Sequence, residues 1–174
     1  RAQQGKRSIR IAFLGDSFIE SDILTADIRA LLQSFYGGNG VGFVPMASIA
    51  SKYRKTVTHN FAGWKSYSMV QYKQADWKKL ILSGYYFEPE EGASVSMELS
   101  SGAEKFKPVS TAKLLFLNQH STHIDAQVNK SKGMKFSPKA SKHLQTLDIQ
   151  GSISSLSMNF KNTSGFTAYG IYMN

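Results

Sequence analysis

The fold class predicted by this 174-residue sequence is an α/β opening joined to a mainly antiparallel β-sandwich or jelly roll, β-rich overall. Three observations predict it. An apolar run, a Gly-Asp-Ser turn and a segment with helical spacing follow one another within the first 36 residues. Beyond about residue 50 the helical period gives way to short β-prone runs separated by polar or glycine-containing breaks. A hydrophobic fraction of 41% suits a chain that buries one good core, and no apolar run reaches the roughly 18 residues needed to span a bilayer.

In the first segment Ile9, Ile11 and Phe13 alternate with residues that are mostly apolar themselves. That pattern predicts a short strand over Ser8 to Leu14, covered on both faces as in a parallel sheet. Gly15-Asp16-Ser17 stands where the strand should end, and open α/β sheets bind ligands beyond the carboxyl ends of their strands. Gly, Asp and Ser are also the residues any turn recruits, so the tripeptide alone leaves a plain strand-to-helix connection open. Leu24, Ile28, Leu31, Leu32 and Phe35 then recur at helical spacing, with Ser21 or Asp22 available as a cap. Gly37-Gly38-Asn39-Gly40 ends the helix. The glycines of 38–42 follow a helix where a phosphate-cradling loop would precede one, so they are read as a stop and a turn.

Strands are expected over Thr56 to Phe61, Tyr85 to Phe87, Ala93 to Leu99, Ala112 to Leu117 and His123 to Val128. Three more are expected over His143 to Ile149, Ile153 to Phe160 and Phe166 to Met173. Several show strict alternation, as in Val95, Met97 and Leu99. A turn or two of helix is possible over Gln74 to Leu82. The sequence shows no internal repeat and no low-complexity linker.

The net charge of +9 is unevenly placed, about +1 through residue 50 and +8 beyond it. An excess of that size attracts polyanions. The lysines are scattered, apart from a looser group at 130, 132, 135, 139 and 142, so they read as a solvated face and no specific nucleic-acid partner is expected. With no cysteine there is neither a disulfide framework nor thiolate chemistry. His120 and His123 lack a third strong ligand at a telling distance, so no metal site and no cofactor are expected. The chain begins with Arg1 and not Met, as expected of a processed protein or an excised piece, and removal of an export signal is one route to such a start.

Taken together, Ile11-Ala12-Phe13-Leu14-Gly15-Asp16-Ser17, Asp22, the helix and Gly40-Val41-Gly42-Phe43-Val44-Pro45 resemble the opening of an SGNH (GDSL-type, flavodoxin-like) hydrolase. Within that superfamily the chain is similar to the peptidoglycan O-acetylesterase-like branch, in which a β-sandwich resembling a carbohydrate-binding module is inserted soon after the first helix. Gly63-Trp64, Ser66-Tyr67-Ser68 and the closing run from Phe166 to Asn174 look like the ends of that insertion. The resemblance implies three segments. Residues 1–50 open the hydrolase domain, 51–165 form the inserted sandwich, and 166–174 are its last strand or the return to the hydrolase domain.

The resemblance also implies chemistry. A serine hydroxyl needs a base to take its proton, and acyl transfer needs donors aimed at the oxyanion. Ser17 is expected to be the nucleophile and to lend its own N–H to the oxyanion hole, with Gly15 and Asp16 shaping the turn and Asp22 in a structural role. Phe18-Ile19-Glu20 departs from the family, where a histidine or other polar residue often follows the serine. The later blocks that supply an oxyanion glycine and asparagine and an Asp-x-x-His pair have no counterpart, since none of His59, His120, His123 and His143 has an aspartate three residues earlier. The expectation is therefore an exported, periplasmic or cell-surface bacterial esterase that removes acyl groups, acetyl by resemblance, from a cell-wall or other glycan. Its base lies in a further α/β segment beyond Asn174, covalent or as a separate chain. Trp64 and Tyr67 are candidate glycan contacts, although aromatic residues of a sandwich also fill its core. The alternative is a noncatalytic glycan-binding module in which the Gly-Asp-Ser turn is merely structural.

Overall fold

The structure is a computed structural model that describes residues 11–71, 73, 75–100 and 107–174. Two helices, α1 (Ser17–Glu20) and α2 (Ile23–Tyr36), precede nine strands. The strands are β1 (Gly42–Pro45), β2 (Val57–Ser68), β3 (Tyr85–Leu99), β4 (Val109–Asn118), β5 (His123–Val128), β6 (Met134–Phe136), β7 (Ser141–Ile153), β8 (Ser155–Lys161) and β9 (Phe166–Met173). Short 3₁₀ turns lie at Ile49–Tyr53, Met69–Gln71 and Trp77–Lys79.

Every strand pairing is antiparallel, in the order β6-β5-β8-β3-β9-β4-β7, with β1 added to β9 and β2 to β3. The two predicted runs at Tyr85 to Phe87 and Ala93 to Leu99 are one continuous strand. Its far end pairs Ser94–Glu98 with Ser155–Asn159 of β8, while Phe87 near its start faces Ala168 of β9. A single strand thus serves both halves of the sheet, and β2 follows it throughout with an irregularity between Ala62 and Trp64. The sheet curls around one core, to which Leu114 and Phe116 of β4, Ile124 of β5, Met158 and Phe160 of β8 and Ile171 of β9 all belong. Phe166 joins the halves, its ring centroid 5.2 Å from Phe116 and 5.5 Å from Phe160. Alternation explains the packing: along β8 Leu156, Met158 and Phe160 point inward while Asn159 and Lys161 stay exposed.

Several sequence expectations change here. Ser8 to Arg10 lie outside the described residues, and Ile11 to Gly15 form no strand; Ile11 is 57% exposed and Leu14 78%. A parallel strand needs hydrogen-bonded neighbours and apolar cover on both faces, and the described strands pair antiparallel among themselves. Residues 42–45, expected as part of the opening, pair with Gly170–Met173 of β9 and so join the sandwich sheet. Gly40 makes that approach possible: its φ is +104°, and a Cβ there would stand 2.3 Å from the Met173 carbonyl oxygen. Helix α2 begins and ends as expected, with Gly37 at its C-cap and the Gly37 N–H bonded to Gln33 O at 2.9 Å. Asp22 occupies the N-cap position but makes no side-chain cap bond; its carboxylate is engaged elsewhere.

Candidate functional site

Ser17 is the first residue of α1, a single helical turn, and it is exposed. The Phe18 N–H donates to Asp16 Oδ1 at 3.0 Å, which caps the turn. Ile19 folds back over Gly15, where a Cβ would meet Ile19 Cγ1 at 2.7 Å. The Gly-Asp-Ser tripeptide therefore has a local physical account. Glycine makes room for Ile19, aspartate caps the turn, and serine is presented to solvent at its start.

Two acidic residues just after Ser17 fasten this turn to the sandwich. Glu20 Oε1 accepts from Ser48 Oγ at 2.8 Å, and burial together with the nearby Glu20 charge pushes the Tyr85 phenol, at the start of β3, up. Asp22 is 3% exposed and lies between two arginines, one on each side of the junction. Arg29 of α2 donates to both of its oxygens, and Thr25 Oγ1 donates to Oδ1. From the other side Thr56 Oγ1 donates to Asp22 Oδ2 at 2.9 Å, and Arg54 Nη2 stands 3.3 Å from the same oxygen. Arg54 in turn donates from Nε to Thr56 Oγ1 at 3.1 Å and from Nη2 to the Val41 carbonyl at 3.0 Å.

Burial acts to raise the Asp22 pKa, but the Arg29 hydrogen bonds, the Arg54 charge and the Thr25 hydroxyl outweigh it and hold the carboxyl below its ordinary value. Burial pushes Arg54 down to about 10, against the opposing charge of Asp22, so it remains a cation at neutral pH. The structural role expected for Asp22 thus takes a definite form, a buried carboxylate shared by two elements. Glu20, read in the sequence only as a departure from the family pattern, proves to be an anchor. The Asp22 partners Arg54 and Thr56 and the Glu20 partner Ser48 carry no local sequence signal, because each acquires its role from a contact made far along the chain.

Among the described residues no histidine hydrogen-bonds to the Ser17 hydroxyl. His59 Nε2 lies 3.1 Å from the Met46 carbonyl oxygen, and His123 Nδ1 lies 2.8 Å from Ser137 Oγ. Burial pushes His59 down to about 4, with the Met46 carbonyl opposing the shift and the Arg54 charge reinforcing it, so the ring is neutral near pH 7.

The two candidate glycan contacts differ in setting. Trp64 packs against the core with its ring edge-on to Phe160 at 5.1 Å, and its Nε1–H donates to the Ser94 carbonyl at 2.9 Å. Tyr67 is half-buried and stacks on Tyr86 at 4.7 Å, and burial together with the Glu88 charge pushes its phenol up. Beside Tyr86, Lys79 pairs with Glu88 at 2.6 Å. On β2, β3 and β8 a shallow depression of mixed character is lined by Asn60, Ser94, Ser96, Ser157 and Asn159 together with Phe61, Ala62, Val95 and Met158. Several lysines are paired with nearby acids, Lys113 with Asp148 at 3.0 Å and Lys161 with Asp125 at 3.3 Å, so part of the positive excess is locally balanced.

No family model matches the chain, and no curated protein matches it. Among solved structures it is similar to one described as a peptidoglycan O-acetylesterase in action at 5 min, with a TM-score of 0.64 and 20% identity. That likeness covers 91% of this chain and 41% of the other, so this chain spans about two fifths of the length of that protein. Weaker likenesses include a carbohydrate-binding module, TmCBM61, in complex with β-1,4-galactotriose, at TM-score 0.43 and 10% identity over 68% of this chain and 87% of that one. Another is the module CBM6cm-2 from Cellvibrio mixtus lichenase 5A in complex with cellotriose, also at TM-score 0.43 and 10% identity, over 66% and 88%. The last two are too distant to bear on function. The first establishes a shared fold: a β-rich, mostly antiparallel architecture common to this chain and part of an esterase.

Proposed function

We propose that this chain carries the serine turn and the β-sandwich of an exported SGNH-type esterase that removes acyl groups, acetyl in the first instance, from a cell-wall glycan. The observation that carries the reading is Ser17 itself, exposed at the start of a capped turn whose glycine and aspartate each have a shaping role. The fold shared with a peptidoglycan O-acetylesterase supports it. In this reading the Ser17 oxygen attacks the acyl carbonyl, its proton passes to a base, and the sugar hydroxyl leaves with a proton. Water then releases the acyl group as a carboxylic acid and restores the serine. The Ser17 N–H contributes to the oxyanion hole.

The base and the remaining oxyanion donors come from further α/β units, covalent or as a separate chain. Support for those units is the open apolar face of α2, where Leu24 is 53% exposed, Leu31 58% and Phe35 72%. Residues 1–50 then open the hydrolase domain, with β1 at their end already laid on the sandwich sheet, 51–165 are the inserted sandwich and 166–174 close it. Tyr67, and less readily the internally bonded Trp64, meet the glycan. The test is serine-directed. A fluorophosphonate probe labels Ser17 in the full-length protein, and Ser17→Ala lowers ester hydrolysis by about a thousandfold or more while leaving the fold intact. Hydrolysis within a few-fold of wild type after that change removes Ser17 from the mechanism.

A second reading, a noncatalytic glycan-binding module, is favoured by the depression on β2, β3 and β8, where the hydroxyl and amide groups of Asn60, Ser94, Ser96, Ser157 and Asn159 suit sugar hydroxyls beside an apolar floor. It expects saturable glycan binding without probe labelling, and binding that Ser17→Ala leaves unchanged.

A further inference from the structure

The contacts that hold α1 belong largely to the sandwich. Ser48 lies just beyond β1 and Thr56 just before β2, yet both bond to acids within five residues of Ser17. The α1–α2 unit buries little that is apolar; its buried residues are Ser21, Asp22 and Thr25. Its position against the sheet therefore depends on directional polar bonds. Asp22 also sits at a φ of +59°, a left-handed conformation that a non-glycine residue keeps only when its surroundings hold it there. At this point the chain turns from α1 into α2, so the carboxylate held from both sides fixes the angle between them.

We propose that Glu20 and Asp22 are positioning residues through which the β-sandwich, by way of Ser48, Thr56 and Arg54, sets the orientation of the Ser17 turn. The inference rests on the esterase reading for its catalytic consequence. It makes the sandwich part of the scaffold of the reaction as well as a surface for glycan. A module joined only by its chain ends can be excised without touching chemistry on a small ester, whereas this one supplies hydroxyls and a guanidinium to the turn that bears the nucleophile. A misplacement on the order of 1 Å costs about a hundredfold in rate, and loss of a single anchor is expected to cost part of that.

Two sandwich substitutions, each removing one hydroxyl, test this in the full-length protein. Thr56→Val preserves shape but leaves Asp22 Oδ2 and Arg54 Nε without the hydroxyl, and Thr56→Ser restores it. Ser48→Ala removes the bond to Glu20. The expected result is about a tenfold fall in kcat for an aryl acetate and in probe labelling of Ser17, with KM unchanged. Thr56→Ser should recover to within about twofold. Deuterium uptake over residues 16–24 should rise in Thr56→Val and Ser48→Ala while uptake in β4, β8 and β9 stays as in the wild type. Unchanged uptake over 16–24 in both variants overturns the proposal. So does a fall in kcat that Thr56→Ser shares equally. If uptake rises as expected but neither wild type nor Ser17→Ala hydrolyses or takes the probe, the attachment stands and the esterase reading fails.

Discussion

Residues 17–36 bury only Ser21, Asp22 and Thr25, all polar, whereas β4, β8 and β9 bury Leu114, Phe116, Met158, Phe160, Phe166 and Ile171 to 2% exposure or less. Both regions announce themselves in the sequence by apolar periodicity, at helical spacing in one and by alternation in the other. In the sandwich the periodic residues meet each other across a curled sheet and form a core. In α2 the periodic residues Leu24, Leu31 and Phe35 look outward. Periodicity states which face of an element would be buried by a partner, and the partner is a separate matter. The helical region is held instead by a carboxylate shared between Arg29 and Arg54. Its attachment is therefore sensitive to charge and geometry, while the sandwich is sensitive to volume.

That contrast can be broken or sharpened by substitution in each region, followed by denaturant unfolding of the 174-residue chain. The largest effect is expected in the core. Phe160 is fully buried and touches both Trp64 and Phe166, so Phe160→Ala should cost about 3–5 kcal/mol through lost contacts and the cavity left behind. A cost under about 1 kcal/mol would mean that the sandwich core collapses around the gap and that volume does not govern this region.

Next comes Asp22→Asn, expected to cost about 3 kcal/mol at neutral pH, because Arg54 stays buried beside a neutral amide. The pH dependence supplies the sign. The folded pKa lies below the ordinary value of 3.8, so between the two values the unfolded chain binds more protons and stability rises with pH. The contribution is complete above the unfolded value and is lost as pH falls through the folded one. Asp22→Asn should flatten this acid limb of the stability curve, and an unaltered limb would show that other groups produce it.

The smallest effect belongs to the open face of α2. Leu31→Glu, at a site 58% exposed, should change the stability of this chain by no more than about 0.5 kcal/mol. A loss of several times that size would show that the face is covered in solution, and would erase the difference between the two regions.

The sequence by itself determined the β-rich, antiparallel character of the chain and much of its element plan. His123–Val128 and Phe166–Met173 appear as strands residue for residue, and the helix from Ile23 runs to Tyr36. These follow from alternation, helical spacing and glycine stops, signals complete within one short segment. The contacts of Gly15 and Asp16 are local as well, since Ile19 and the Phe18 N–H lie within four residues of them. Tertiary structure decided what no segment contains. It merged 85–99 into one strand shared by both halves of the sheet, drew 42–45 onto β9, and left Ile11 to Gly15 outside the sheet. It also brought Arg54 and Thr56 to Asp22, and Ser48 and Tyr85 to Glu20. Strand pairing and buried ion pairs are contacts between distant residues, so their energy exists only once the chain has folded and local pattern carries no record of them.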